Sequence, residues 1–111
     1  MIILHIPADP NEHVNIRDIP HTLNAMQKEV GGYIDCVRID HEVDMWINDK
    51  GKLKDLPHNA RATWVAEQSL SLGDYIQGDC FLACQKNGDT VGIPKQFAVE
   101  LKKIIDEEFP G

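Results

Sequence analysis

The residues in this chain whose types could hold a metal are five histidines and a spread of carboxylates. Asp40, His41 and Asp44 come closest together, with His58 further on. A zinc site needs a tight ligand pair, such as two cysteines or two histidines a few residues apart, and a distant second pair. The chain has no such arrangement. His41 falls in an expected hairpin turn, and His13 and His21 lie near loops. His5 sits inside an apolar strand, where a hydrogen-bonded core histidine is expected rather than a ligand. Nucleophilic chemistry is no better supplied. Ser69 and Ser71 lie in Ser-Leu-Ser-Leu-Gly, which lacks the G-x-S-x-G elbow. Cys36 and Cys84 fall in strands with nothing nearby to lower a thiol pKa. Asp49-Lys-Gly-Lys52 offers two lysines and a glycine backbone to a phosphate, but a solvated turn contains the same residues. Glu107 and Glu108 sit in a last helical turn with no pocket to shift a pKa. No catalytic residue, cofactor-binding residue or metal ligand is therefore assigned, and the pattern points away from an enzyme.

The elements that would position any site can be read from periodicity. Ile2 to Ile6 is a short apolar run bounded by proline, expected as a buried strand, and Val14 to Arg17 is a second short one. Asp18-Ile-Pro20 reads as a helix entrance with Pro20 in the first turn. Leu23, Met26 and Val30 follow at helical spacing, and Gly31-Gly32 ends that helix. Tyr33 to Ile39 and Val43 to Asn48 are rich in β-branched and aromatic residues and are joined by Asp40-His41-Glu42, so an antiparallel hairpin is expected. In the second strand Val43, Met45 and Ile47 alternate with Asp44, Trp46 and Asn48, which implies one buried and one wetter face. Asp49-Lys-Gly51 turns the chain, with Gly51 expected at positive φ.

Asn59 is a good N-cap for a helix over about 60–70, and Gly73 ends that region within a loop from Ser71 to Gly78. Asp79 to Gln85 and Thr90 to Ile93 flank Asn87-Gly88, a second hairpin signal. After Pro94, Phe97, Leu101, Ile104 and Ile105 form the apolar stripe of a final helix, with Lys102 facing Asp106 and Lys103 facing Glu107. The order strand, helix, hairpin, helix, hairpin, helix predicts an α+β fold. In it about three helices pack on a small, mostly antiparallel sheet, covering one of its faces.

Composition bounds the function. A chain of 111 residues with 42% hydrophobic and 26% charged residues is expected to be one domain, 1–111, with a packed core. A net charge of −7 disfavours direct nucleic-acid binding and anionic membranes, both of which call for a basic surplus. Three cysteines make no disulfide framework. Cys80 and Cys84 on one strand would stand ~13 Å apart, too far to bridge. The first residues lack a signal sequence or a span, so a cytoplasmic protein in a reducing compartment is expected. Trp46 and Trp64 flank Arg61, which lies one turn before Trp64. If exposed, these three would be the kind of anchors that dominate a partner interface. Asp35, Asp40, Glu42, Asp44, Asp49 and Asp55 could mimic a phosphate backbone if gathered on one face, although Lys50, Lys52 and Lys54 interrupt them.

Val30-Gly-Gly-Tyr-Ile34, Ile47-Asn-x-x-Gly-Lys-Leu53, Leu56-Pro-x-Asn59-x-x-Ala-Thr63 and Gly78-Asp79 together resemble the domain-of-unknown-function family numbered 3846. The resemblance runs over roughly Met1 to Val91. It implies a bacteriophage, plasmid or mobile-element context and carries no catalytic residue, cofactor or substrate. The expected function is a small accessory binding module acting on a host or phage protein in the bacterial cytoplasm. One alternative is an acidic DNA-mimic decoy for a DNA-binding host protein. Another is a small-molecule or nucleotide-binding domain around Asp49 to Lys54 and Arg61. A homodimer through an edge strand is also open to the hydrophobic strand set.

Overall fold

The apolar runs become strands and the interrupted runs become helices in the expected order, but the layers stack differently. The computed structural model describes residues 1–68 and 75–110. Its elements are β1 (Ile2–Ile6), β2 (Asn15–Asp18), α1 (Leu23–Val30), β3 (Ile34–Arg38), β4 (Val43–Asn48), α2 (Ala60–Glu67), β5 (Cys80–Lys86), β6 (Asp89–Val91) and α3 (Lys95–Glu108). The strands form one sheet in the order β2-β1-β5-β4-β3, and β6 pairs with β5. Every pairing is antiparallel. The α+β architecture is as expected. β5 lies at the centre, with Leu82 opposite Leu4 on one side and Met45 on the other.

Local chemistry explains most boundaries. Thr22 caps α1 by accepting the Ala25 N–H at 3.1 Å, so this helix starts after Pro20 rather than around it. Gly31 closes it at φ 75°, a conformation that a β-carbon would strain. Asn59 caps α2 through the Ala62 N–H. The described helix ends at Glu67. The extension to Leu70, the stop at Gly73, most of the loop from Ser71, and Ser69 and Ser71 themselves lie in residues 69–74, outside the described residues. Asn87 (φ 53°) and Gly88 (φ 84°) both take left-handed conformations, which a two-residue hairpin between twisted strands requires. Gly51 does not: its φ is not positive. A β-carbon there would approach the Gln77 carbonyl oxygen to 2.8 Å, so close packing is what demands glycine.

Both faces of the sheet are covered, which corrects the expectation that the helices share one. α2 and α3 cover the face carrying Leu4, Ile6, Met45, Cys80 and Leu82. α1 covers the opposite face, where Met26 and Val30 pack with Ile3, Phe81 and Ala83. The polar alternation of β4 is therefore not a wet face. Asp44 and Asn48 are both 4% exposed, and Asn48 Nδ2 donates to the Val30 carbonyl at the end of α1. The final helix is also rotated from its expected stripe. Ala98 and Ile105 are its buried residues, while Phe97 and Ile104 reach the surface.

Candidate functional site

Alternation along the strands sets up two distinct regions. On the α1 face, β1 directs Ile3 and His5 inward, β2 brings Asn15 and Arg17 opposite them, and Asp79 enters just before β5. Glu29, from the last turn of α1, completes a polar row. His5 is 3% exposed. Its Nδ1 lies 2.8 Å from Glu29 Oε2, out of line for a hydrogen bond, and its Nε2 lies 3.4 Å from Asp79 Oδ2. Arg17 Nη1 reaches the same Glu29 oxygen at 3.0 Å, and Asp79 Oδ1 accepts the Ala8 N–H at 2.9 Å. The His5 ring holds the Asp79 carboxyl below the usual carboxylate range. Burial opposes this, and the Ala8 N–H adds to it. Glu29 and Asp79 then line a groove of about 630 Å³ together with Asp9, Glu12, Lys28 and His58. The His5 ring is packed between the two carboxylates, and its burial puts it out of reach of a ligand. His5 is thus buried in the core, but its Nδ1 lacks the hydrogen bond expected of a core histidine.

The second region is apolar. Between α2 and α3, at the β3–β4 end of the sheet, lies a groove of about 450 Å³ lined by Ile39, Val43, Trp64, Leu101 and Ile104, with Asp40 among its lining residues. Trp64 is half-buried and meets the Phe109 ring edge-on, with centroids 6.1 Å apart and planes at 82°. Ile104 is 50% exposed and Phe97 37% exposed, so the groove opens to solvent through apolar side chains. Sequence spacing identified Trp64, Phe97, Leu101 and Ile104 as apolar. It did not show that the helix would turn two of them outward.

The three proposed anchors do not meet. Trp46 is half-buried on the α1 face beside Phe81, its Nε1 buried without a hydrogen-bond partner, and so lies across the sheet from Trp64. Arg61 is 9% exposed and serves the fold: its Nη2 donates to the carbonyls of Pro7 and Asp9, both at 2.9 Å, fastening the loop after β1. Asp49, Gly51 and Lys52 border a separate hollow with Tyr75, whose ring lies 4.7 Å from Lys52 Nζ. Arg61 has no part in that hollow. Among the carboxylates singled out, Asp44 is buried and bound to Arg38 Nε at 2.7 Å. His41 is exposed in its turn, and His58 engages Thr63 and Tyr75. Among the described residues, no group of three or more His, Cys, Asp or Glu side chains is placed to hold a metal ion. Nor is any described helix long and apolar enough to cross a membrane.

A family model described as a domain of unknown function (DUF3846) matches residues 3–106. The chain belongs to that family, and the match runs past Val91 through most of α3. No curated protein and no solved structure matches it.

Proposed function

We propose that this DUF3846 member is a non-enzymatic binding module. It takes an apolar, basic-flanked segment of a host or mobile-element protein into the groove between α2 and α3, in the bacterial cytoplasm. The observation that carries this reading is the half-exposed apolar lining of that groove, with Trp64 on its wall and Phe97 and Ile104 open to solvent. Aromatic and aliphatic anchors that enter such a recess supply most of the energy of a small interface. A net charge of −7, with Asp40 in the lining, favours a partner segment bearing lysine or arginine beside its apolar residues. The acidic-decoy alternative finds less support. Asp44 is consumed by Arg38, and Lys50, Lys52 and Lys54 stand between Asp49 and Asp55. The nucleotide-site alternative loses Arg61 to the loop carbonyls.

The test is affinity capture from bacterial lysate at low and high salt, with wild-type protein and Ile104→Asp compared side by side. A protein retained by the wild type at both salts and lost with Ile104→Asp, while circular dichroism stays unchanged, supports the reading. Equal capture by both proteins, or by neither, overturns it.

A further inference from the structure

The groove between α2 and α3 constrains the conformation of whatever enters it. Its α3 wall carries Phe97, Leu101, Ile104 and Ile105. These stand at i, i+4, i+7 and i+8, so the wall runs about 12 Å along the helix. Leu101, Ile104 and Ile105 lie inside α3, where the backbone is bonded along the helix itself. Val43 and Leu82 reach the groove from β4 and β5, each paired with a strand on both sides. At the turn between β3 and β4, the N–H groups of Ile39 and Asp40 both donate to the Val43 carbonyl, at 2.9 and 3.1 Å. The groove therefore offers apolar side chains and little backbone to bond. An extended segment pressed against it would bury peptide N–H and C=O groups without partners, at roughly 1–3 kcal/mol each. A helix bonds its own backbone and turns only side chains to the wall.

We propose, on the binding reading given above, that the occupant of this groove is an amphipathic helix of the partner protein. Its apolar residues at i, i+3 or i+4, and i+7 lie against α3, and a lysine or arginine reaches Asp40. The length of the wall matches about two helical turns, over which that spacing keeps side chains on one face. Among the described residues, Asp40 is the one charged residue of the lining. Its Oδ1 accepts the His41 N–H at 2.7 Å, and no described residue bonds to its Oδ2. A basic side chain beside the apolar stripe therefore finds a carboxylate oxygen to pair with, and the net charge of −7 favours a partner of that sign. A second copy of this chain is disfavoured as occupant, because it brings the same net charge. Recognition of this kind takes its affinity from the apolar anchors and its orientation from the charge at the side.

The test uses two synthetic peptides of about 14 residues, with the same leucine and lysine content and a fluorophore at one end. One sets its leucines at helical spacing, and the other alternates leucine with lysine at strand spacing. Anisotropy is read at about 0.15 M salt with protein up to ~100 µM. The helical-order peptide should bind at least about tenfold more tightly than the alternating one, and circular dichroism should show helix gained on mixing. Ile104→Asp should weaken it about tenfold although the variant carries an added negative charge, and Phe97→Ala should weaken it in the same direction. Asp40→Asn should weaken it about threefold, an effect that fades at high salt. Equal binding of the alternating peptide, still lost with Ile104→Asp, overturns the helical occupant and leaves the groove reading standing. Lysate capture that Ile104→Asp leaves unchanged overturns the groove reading and the proposal with it. Binding of neither peptide, or binding indifferent to Ile104→Asp, overturns the proposal. So does a peptide-free protein at twice the 12.5 kDa protomer mass that Ile104→Asp returns to the protomer, which would give the groove to a second copy.

Discussion

Under α2 and α3 the sheet presents Leu4, Ile6, Met45 and Leu82 to aliphatic partners, and the buried polar side chains at that junction, Asn59 and Arg61, both donate to backbone carbonyls. Under α1 the sheet presents Ile3, Phe81 and Ala83, a smaller apolar set, and beside them His5, Asn48 and Asp44. An aliphatic face gains its stability from area removed from water and is indifferent to pH. The α1 face has less area to remove. Its helix is also held by Glu29 over His5, by Arg17 on Glu29, and by Asn48 on the Val30 carbonyl. The two faces of one sheet should therefore respond differently to truncation and to acid. The apolar face has surplus area, which it exposes as the groove around Trp64. The polar face spends its side chains on holding one short helix.

Phe81→Ala is the strongest way to break this contrast, because it removes the largest fully buried side chain from the weaker face. The expected loss is about 3–5 kcal/mol in urea denaturation. A loss below about 1 kcal/mol would mean that α1 is held by its polar ties alone. Asn59→Ala comes next. Asn59 Nδ2 donates to the Ile6 and Gly78 carbonyls at 2.9 and 3.0 Å, and Oδ1 accepts the Ala62 N–H at 3.0 Å. Truncation removes a cap and the amide donor to two buried carbonyls, for an expected loss of about 2–3 kcal/mol. This loss should be the same at neutral and mildly acidic pH.

His5→Leu sharpens the contrast from the other side. Removing one partner of a buried polar group costs about 1–3 kcal/mol, and a loss in that range is expected here, because Arg17 still partners Glu29 and the Asp79 side chain is 41% exposed. Hydrogen exchange should show the extra opening in α1 and not in α2 or α3. Uniform loosening of all three helices would place His5 in the common core instead.

How much of this was legible follows from how local each cause is. Asn59, Gly31 and the Asn87-Gly88 turn were readable because a cap or a turn is decided within four residues. The turn around Gly51 hides its reason, because the Gln77 carbonyl that crowds it comes from a segment 26 residues away. Asp44 and Asn48 read as solvent-facing because alternation shows that two faces differ and not what lies over each. Met26 and Val30 were the available signal, since an apolar pair on a short helix needs a surface to cover. The cluster of His5, Glu29 and Asp79 joins three separate parts of the chain, and no spacing rule connects them. Its place near Trp64 in the sequence makes Arg61 look like an anchor. In the fold that same place puts its guanidinium under the loop after β1.

The smallest effect expected is the most specific to the polar face. Asp79 titrates below its ordinary value of 3.8, chiefly because the His5 ring stabilises the carboxylate. A depressed carboxylate pKa means that the unfolded chain binds the proton first. The stabilisation is therefore fully present above about pH 4 and is lost as pH falls through the folded value. Asp79→Asn keeps an oxygen for the Ala8 N–H and removes only the charge beside His5. Its thermal midpoint should lie slightly below that of the wild type near neutral pH, and the two should converge as the solution is acidified below the ordinary carboxylate range. Parallel curves across the whole range would show that Asp79 serves as an acceptor for the loop alone.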